Sequence, residues 1–263
     1  MDRYARWNAL IELLAARGRV SVDEAAATLA VSAATVRRDF DQLARQQLIT
    51  RTRGGAVADG VAYDLPLRYK TARHADQKRR IGLAAAALVE PGMVVGLNGG
   101  TTTIEVARAL ADRPELSGAG AGTGAQLTVV TNALNIAHEL LVRSRAKVVV
   151  AGGVVRPQSY ELVGPLGSTL LAEVALDLVL LGVDGVHPAL GAAAHHEGEA
   201  AMNRLMVDRG ARAVIVADAS KLGQRAFART CPVERIAVLV TDTGADPATV
   251  AAFESAGVDV LLA

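Results

Sequence analysis

The chain has 263 residues, 51% hydrophobic and 3% aromatic, with a formal net charge of +1. That length accommodates a small domain and a larger one. Asp177 and Asp184 interrupt the most apolar region, so nothing reads as a membrane span, and a lone cysteine, Cys231, excludes an internal disulfide and a cysteine-built zinc site. Residues 1–80 hold 15 Lys and Arg against 9 Asp and Glu, whereas the remainder holds 13 against 18. A basic front end on an acidic remainder points to a polyanionic partner for the front end only. The opening Met1–Arg6 lacks the apolar core of a signal peptide, so the expectation is a cytoplasmic protein.

Residues 3–17 place Trp7, Leu10, Ile11 and Leu14 at helical spacing, and Gly18 stops that helix. Ser21 and Glu24 have capping-box spacing, and Ala25, Ala26 and Leu29 form the inner face of a second helix. After the short turn Ala30-Val31, Ser32 caps a third helix with Val36, Phe40 and Leu43 at i, i+4 and i+7. This is helix-turn-helix spacing. The outer face of the third helix carries Ala33, Ala34, Arg37, Asp41 and Arg45, flanked by Thr35 and Arg38. Small residues at its start let a backbone approach DNA, and Arg37 and Arg38 can reach guanine edges or phosphates. Residues 48–56 read as a short β-wing bearing Arg51 and Arg53. Spacing alone also fits a three-helix protein-interaction module with solvated arginines; the wing and the charge split favour DNA.

The stretch Ser21–Ala56 resembles the signature of the DeoR family of bacterial regulators. Its marks are the capped second helix, the Val-Ser turn, Thr-Val-Arg-Arg-Asp at 35–39 and the closing Gly-Gly-Ala. Arg53 stands where the family usually has His. The resemblance implies phosphate contacts from Ser32 and Thr35, and groove and backbone contacts from Arg37 and Arg38. Asp39 is expected to pair with an arginine, since it would repel DNA.

Residues 57–77 read as a polar linker with Pro66, and Lys78-Arg79-Arg80 as a solvated face of the next helix. From 78 onward helices alternate with apolar strands. Strands are expected at 93–97, 127–131, 147–151, 176–181, 213–217, 236–241 and 258–262. Helices are expected near 79–89, 104–110, 133–143, 165–173, 197–210 and 246–256. Continuous Val/Leu runs are strands buried on both faces, hence a mostly parallel α/β sheet of Rossmann-like type.

Ligands of such sheets bind beyond the carboxyl ends of the strands. Asn98-Gly99-Gly100-Thr101-Thr102-Thr103 joins a strand to a helix, and its glycines, hydroxyls and helix N-terminus suit a phosphate. Thr131-Asn132, Gly152-Gly153, Asp184-Gly185 and Asp218–Lys221 also follow strands. Any one of them can equally be a plain βα turn. The segments Gly99–Ala107, Val129–Ala137, Ala151–Pro165, Leu180–Gly185, Glu199–Met206 and Val216–Lys221 resemble the sensor domain of the same family. That resemblance implies a domain related to ribose-5-phosphate isomerase that binds a phosphorylated sugar or polyol. Thr101, Thr102 and Thr103 would lie at the phosphate, and Asp184, Glu199 and Lys221 would face the sugar. Asn98 replaces a common Asp, Asn203 replaces a common Lys, and 112–126 is a Gly/Ala-rich insertion.

A GxGxxA match at 120–125 does not follow a strand and reads as a loop. His195-His196-Glu197 lacks further metal-ligand spacing, and Cys231 reads as a buried thiol. The expectation is a repressor without cofactor or metal: residues 1–56 bind operator DNA and 78–263 sense the effector. It acts as a homo-oligomer, dimer or tetramer, because one helix-turn-helix reads too few bases. An aldose–ketose isomerase using Asp184, Glu199 and Lys221 for proton transfer is the competing reading.

Overall fold

The computed structural model describes residues 2–46, 48–57, 67–70, 73–117 and 126–263. Gln47, most of the expected linker and the GxGxxA match at 120–125 lie outside the described residues. The chain separates into two compact units, residues 1–70 and 71–263.

The first unit contains α1 (Arg3–Arg17), β1 (Arg19–Ser21), α2 (Val22–Leu29), α3 (Ala33–Arg45), β2 (Thr50–Thr52), β3 (Gly55–Val57) and the single turn α4 (Leu67–Lys70). Its helices start where side chains satisfy the first free N–H groups. Glu24 N–H donates to Ser21 Oγ at 3.2 Å while Ser21 N–H donates to Glu24 Oε2 at 2.8 Å, closing the expected capping box. Thr35 N–H donates to Ser32 Oγ at 3.1 Å at the head of α3. Trp7, Leu10, Leu14, Ala25, Val36, Phe40, Leu43 and Ile49 are buried together. The wing is wider than expected, because β1 joins it in the antiparallel order β1-β3-β2. The Gly-Gly pair has a steric reason: Gly54 adopts φ +83° at the hairpin turn, and a Cβ on Gly55 would lie 2.3 Å from Val20 O.

The second unit opens with α5 (Ala75–Ala86), which begins inside the expected linker. Arg79 and Arg80 are exposed, but Lys78 is buried, its ammonium donating to Arg73 O. The expected solvated run is therefore two residues long. There follow β4 (Val94–Leu97), α6 (Thr103–Ala111), β5 (Thr128–Thr131), α7 (Leu134–Arg143), β6 (Lys147–Val150), β7 (Val154–Arg156), β8 (Glu161–Val163) and α8 (Pro165–Ala172). Next come β9 (Leu176–Gly182), β10 (Gly185–His187), β11 (Gly191–Ala194), α9 (Glu197–Arg209), β12 (Gly210–Val216), β13 (Ala228–Cys231), β14 (Val238–Thr241), α10 (Pro247–Ser255) and β15 (Asp259–Leu262).

Seven strands form one sheet in the order β15-β14-β12-β9-β4-β5-β6, every pairing parallel. Successive strand residues serve opposite faces, as strand geometry requires. Val214 and Val216 pack with Ile81, Val106, Leu110 and Ile136 of α5, α6 and α7. Ala213 and Ile215 pack with Leu171, Met202, Met206 and Phe253 of α8, α9 and α10. Two additions lie outside this sheet: the β7–β8 hairpin and an antiparallel sheet ordered β10-β11-β13. From β4 the chain builds outward through β5 and β6, then returns to the other side of β4 with β9. The strand order thus reverses between β4 and β9, and the crevice beyond their carboxyl ends is where such folds bind ligands.

Candidate functional site

On the first unit, the outer face of α3 presents Ala34, Arg37, Arg38, Asp41 and Arg45 to solvent. Asp39, between the arginine pair and Phe40, turns inward. It accepts from Arg6 Nε at 2.5 Å and from Trp7 Nε1 at 2.7 Å, so it holds α3 against α1. The expected arginine partner is Arg6, and Trp7 adds a second donor. Ser32 and Thr35 share a hydroxyl–hydroxyl hydrogen bond of 2.9 Å at the helix start.

The wing arginines divide. Arg53 is exposed at the hairpin tip. Arg51 is engaged within the protein: it donates to Gly55 O at 2.9 Å, pairs with Asp41 at 3.0 Å and stacks over the Phe40 ring at 5.5 Å. Its geometry fastens the wing to α3 and offsets the one acidic charge on the outer face.

In the second unit, the crevice floor is the turn after β4. Asn98, 2% exposed, spans the switch point. Its Nδ2 donates to Gly182 O at 2.9 Å, and Gly182 N–H donates to its Oδ1 at 2.9 Å. An amide can do both; an ionised aspartate can only accept. Asn98→Asp is therefore expected to destabilise the second unit by about 1–3 kcal/mol, the cost of an unpaired buried carbonyl, measured by denaturant unfolding. An unchanged midpoint would show that the bridge contributes nothing.

The Gly99–Thr103 loop follows, with Gly99, Gly100 and Thr101 half-buried and Thr102 and Thr103 buried at the start of α6. The Thr103 hydroxyl has no hydrogen-bond partner among the described residues and lies 3.0 Å from where a Gly100 Cβ would stand. Asn132, at the end of β5, donates from Nδ2 to Leu162 O at 3.2 Å, so it tethers the β7–β8 hairpin. Asp184 Oδ2 accepts from His195 N at 2.9 Å. Glu199, on the first turn of α9, pairs with Arg156 at 2.8 Å. Lys221 is half-buried beyond the end of β12, the strand beside β9.

One residue central to this crevice was not singled out from the sequence. Glu161 is 2% exposed and its Oε1 accepts from Gly99 N at 2.7 Å. Burial, with Glu199 and then Asp184 nearby, pushes its carboxyl well above the ordinary range. A raised folded pKa means a contribution to stability that is complete below the ordinary carboxylate range and is lost as pH rises through the raised value. Arg156, the ion-pair partner of Glu199, is likewise buried. Both stand in Ala151–Pro165, but nothing in that string tells which side chains turn inward.

Two weaker signals have structural explanations. His196 caps α9, its Nδ1 accepting from Gly198 N at 3.1 Å. Cys231 is buried, and burial pushes its thiol up.

Comparison with known proteins follows the same division. Residues 6–60 match the DeoR-like helix-turn-helix domain and residues 73–243 the DeoR C terminal sensor domain. The chain is 34% identical over 253 residues to the HTH-type transcriptional regulator GlpR of Haloferax volcanii, covering 96% of this chain and 94% of that one. It is 28% identical over 242 residues to the glycerol-3-phosphate regulon repressor of Escherichia coli K12, covering 92% of each. Among solved structures, ribose 5-phosphate isomerase A of Methanocaldococcus jannaschii aligns with 56% of this chain and 54% of its own, at 18% identity and a TM-score of 0.42. With both domain models matched in order and relatives similar over nearly their whole length, the chain belongs to the DeoR family of transcriptional regulators.

Proposed function

We propose that this regulator represses carbohydrate-metabolism genes by holding operator DNA through α3, and releases it when a phosphorylated sugar or polyol binds beyond β4 and β9. One observation carries the reading. The outer face of α3 shows Arg37, Arg38 and Arg45 to solvent, while Asp39 is turned inward and Asp41 is offset by Arg51. A helix face cleared of negative charge in this way suits a polyanion. In this reading residues 1–56 form the DNA-binding domain, 57–77 the linker and 78–263 the sensor. Ser32, Thr35 and Arg53 meet phosphates, Arg37 and Arg38 meet the groove, and Arg51 positions the wing. Pairs of helix-turn-helix units in a homo-oligomer supply enough base contacts.

The sensor reading rests on the Gly99–Thr103 loop at the switch point, with Asn132, Asp184, Glu199 and Lys221 around it, and on the names of its relatives. The effector is bound and not turned over. Its binding changes DNA affinity only if the two states hold it unequally. Operator sites selected from random duplexes, followed by thermal-shift screening with sugar phosphates, test both halves, because a ligand of the native state raises its melting temperature. Salt-independent or absent DNA binding would refute the first half. Lys221→Ala is expected to keep operator affinity while needing at least tenfold more effector for release, since a charge-assisted contact is worth about 1.5–3 kcal/mol. Release curves followed by fluorescence anisotropy check this; an unshifted curve would remove Lys221 from the site.

A further inference from the structure

Glu161 reaches the Gly99–Thr103 loop from outside it. It is carried by β8, half of a hairpin whose strands are three residues each. Its Oε1 takes the Gly99 amide, and a Cβ on Gly99 would lie 2.6 Å from Glu161 Cγ. The side chain thus lies directly on the loop, in the space an anion cradled by that loop would use. The groups facing it are the Gly99 amide, Glu199 from α9 with its partner Arg156 from β7, and Asp184 after β9.

We propose that Glu161 is a built-in rival for the effector's anion: an incoming phosphate gains the Gly99 amide only by driving Glu161, with the β7–β8 hairpin, off the loop. This rests on the effector reading given above. Two observations support it. The single Gly99 N–H already donates to a Glu161 carboxyl oxygen at 2.7 Å, so a phosphate oxygen cannot take that position while Glu161 holds it. The Thr103 hydroxyl, buried and unpartnered among the described residues, is a second donor that a larger anion at the loop could engage. Tyr160, immediately before Glu161, is held at φ 60°, a left-handed conformation that costs free energy in a residue with a side chain. That strain lies within the hairpin's own turn, while Leu134 N–H to Tyr160 O at 3.0 Å and Leu162 N–H to Asn132 O at 2.7 Å are the bonds that displacement of the hairpin must break. On the loop, burial and the neighbouring Glu199 push the Glu161 carboxyl up; water removes both effects once it is displaced, so displacement favours proton release.

The test is calorimetric titration of the full chain with inorganic phosphate and with glycerol 3-phosphate at pH 7. Glu161→Ala frees the amide and should bind about tenfold more tightly than wild type, the value of one hydrogen bond to a charged group. Glu161→Gln keeps the hydrogen bond to Gly99 without an acidic proton. It should bind within a few-fold of wild type and release fewer protons, read from the dependence of heat on buffer. Hydrogen exchange of residues 154–163 should quicken when wild type is saturated. Equal or weaker binding by Glu161→Ala would overturn the proposal, weaker binding making Glu161 a direct effector contact. Should that variant not fold, equal proton release by wild type and Glu161→Gln would overturn it instead. Binding by wild type with no change in the variants sinks this inference alone; no binding of either probe by any of the three chains sinks the effector reading as well.

Discussion

Replacing Arg37 with alanine should lower operator affinity by at least tenfold and leave the melting temperature of the first unit where it was. Arg37 is exposed on α3 and carries no part of the core beneath it, which is built by Val36, Phe40 and Leu43. Alanine is the better helix former, so the backbone loses nothing. If Arg37 reads a guanine edge, about 1–3 kcal/mol is lost and discrimination at one base position relaxes. If it meets only a phosphate, binding weakens equally on all sequences and the salt dependence falls by about one ion. Anisotropy titrations on operator and scrambled duplexes at several salt concentrations separate the two. An unchanged affinity would mean that α3 is not the helix that faces DNA.

Asp39→Ala should have the opposite profile: the first unit unfolds, and DNA binding is lost as a consequence. Asp39 is 4% exposed and serves two donors on α1, Arg6 and Trp7. Removing it leaves a half-buried guanidinium and a buried indole N–H without their acceptor, at about 3 kcal/mol for a broken buried pair. A domain of roughly 60 residues seldom has more than about 3–5 kcal/mol in total. Tryptophan fluorescence follows this unit directly, because the single Trp7 lies in its core. Effector binding by the second unit should survive. A stable Asp39→Ala variant that still fails to bind DNA would instead place Asp39 at the DNA.

The two residues lie two apart in one motif, and the sequence separated them on different grounds: Arg37 falls on the outer face of the helix by periodicity, whereas Asp39 was expected to pair with an arginine because its charge would repel DNA. The first unit was legible because helical spacing, caps and glycines all act locally. The seven sheet strands were legible for a different reason, since continuous apolar runs between polar turns have few other uses. The β7–β8 hairpin and the β10-β11-β13 sheet were not, because their strands are only three or four residues long, too short for alternation to register. Arg51 shows the same limit. Its basic charge suggested DNA, but its position between Asp41, Gly55 and Phe40 arises only when the wing closes on α3. Glu161 depends on a contact with Gly99, 62 residues away. Asn98 could be flagged only as a departure from the family; that it bridges to Gly182 is a property of the assembled sheet.

The pairing of β4 with β9 also bears on how a new chain comes to life. Val95 lies opposite Leu178, so the centre of the sheet joins segments made far apart in time. The Asn98 bridge and the crevice above it cannot form until β9 has been synthesised, and a parallel pairing this distant is slow to find. The first unit, by contrast, closes its wing by Val57. Since N-terminal units fold first during synthesis, each molecule passes through an interval in which its DNA-binding part is folded and its sensor is still a chain.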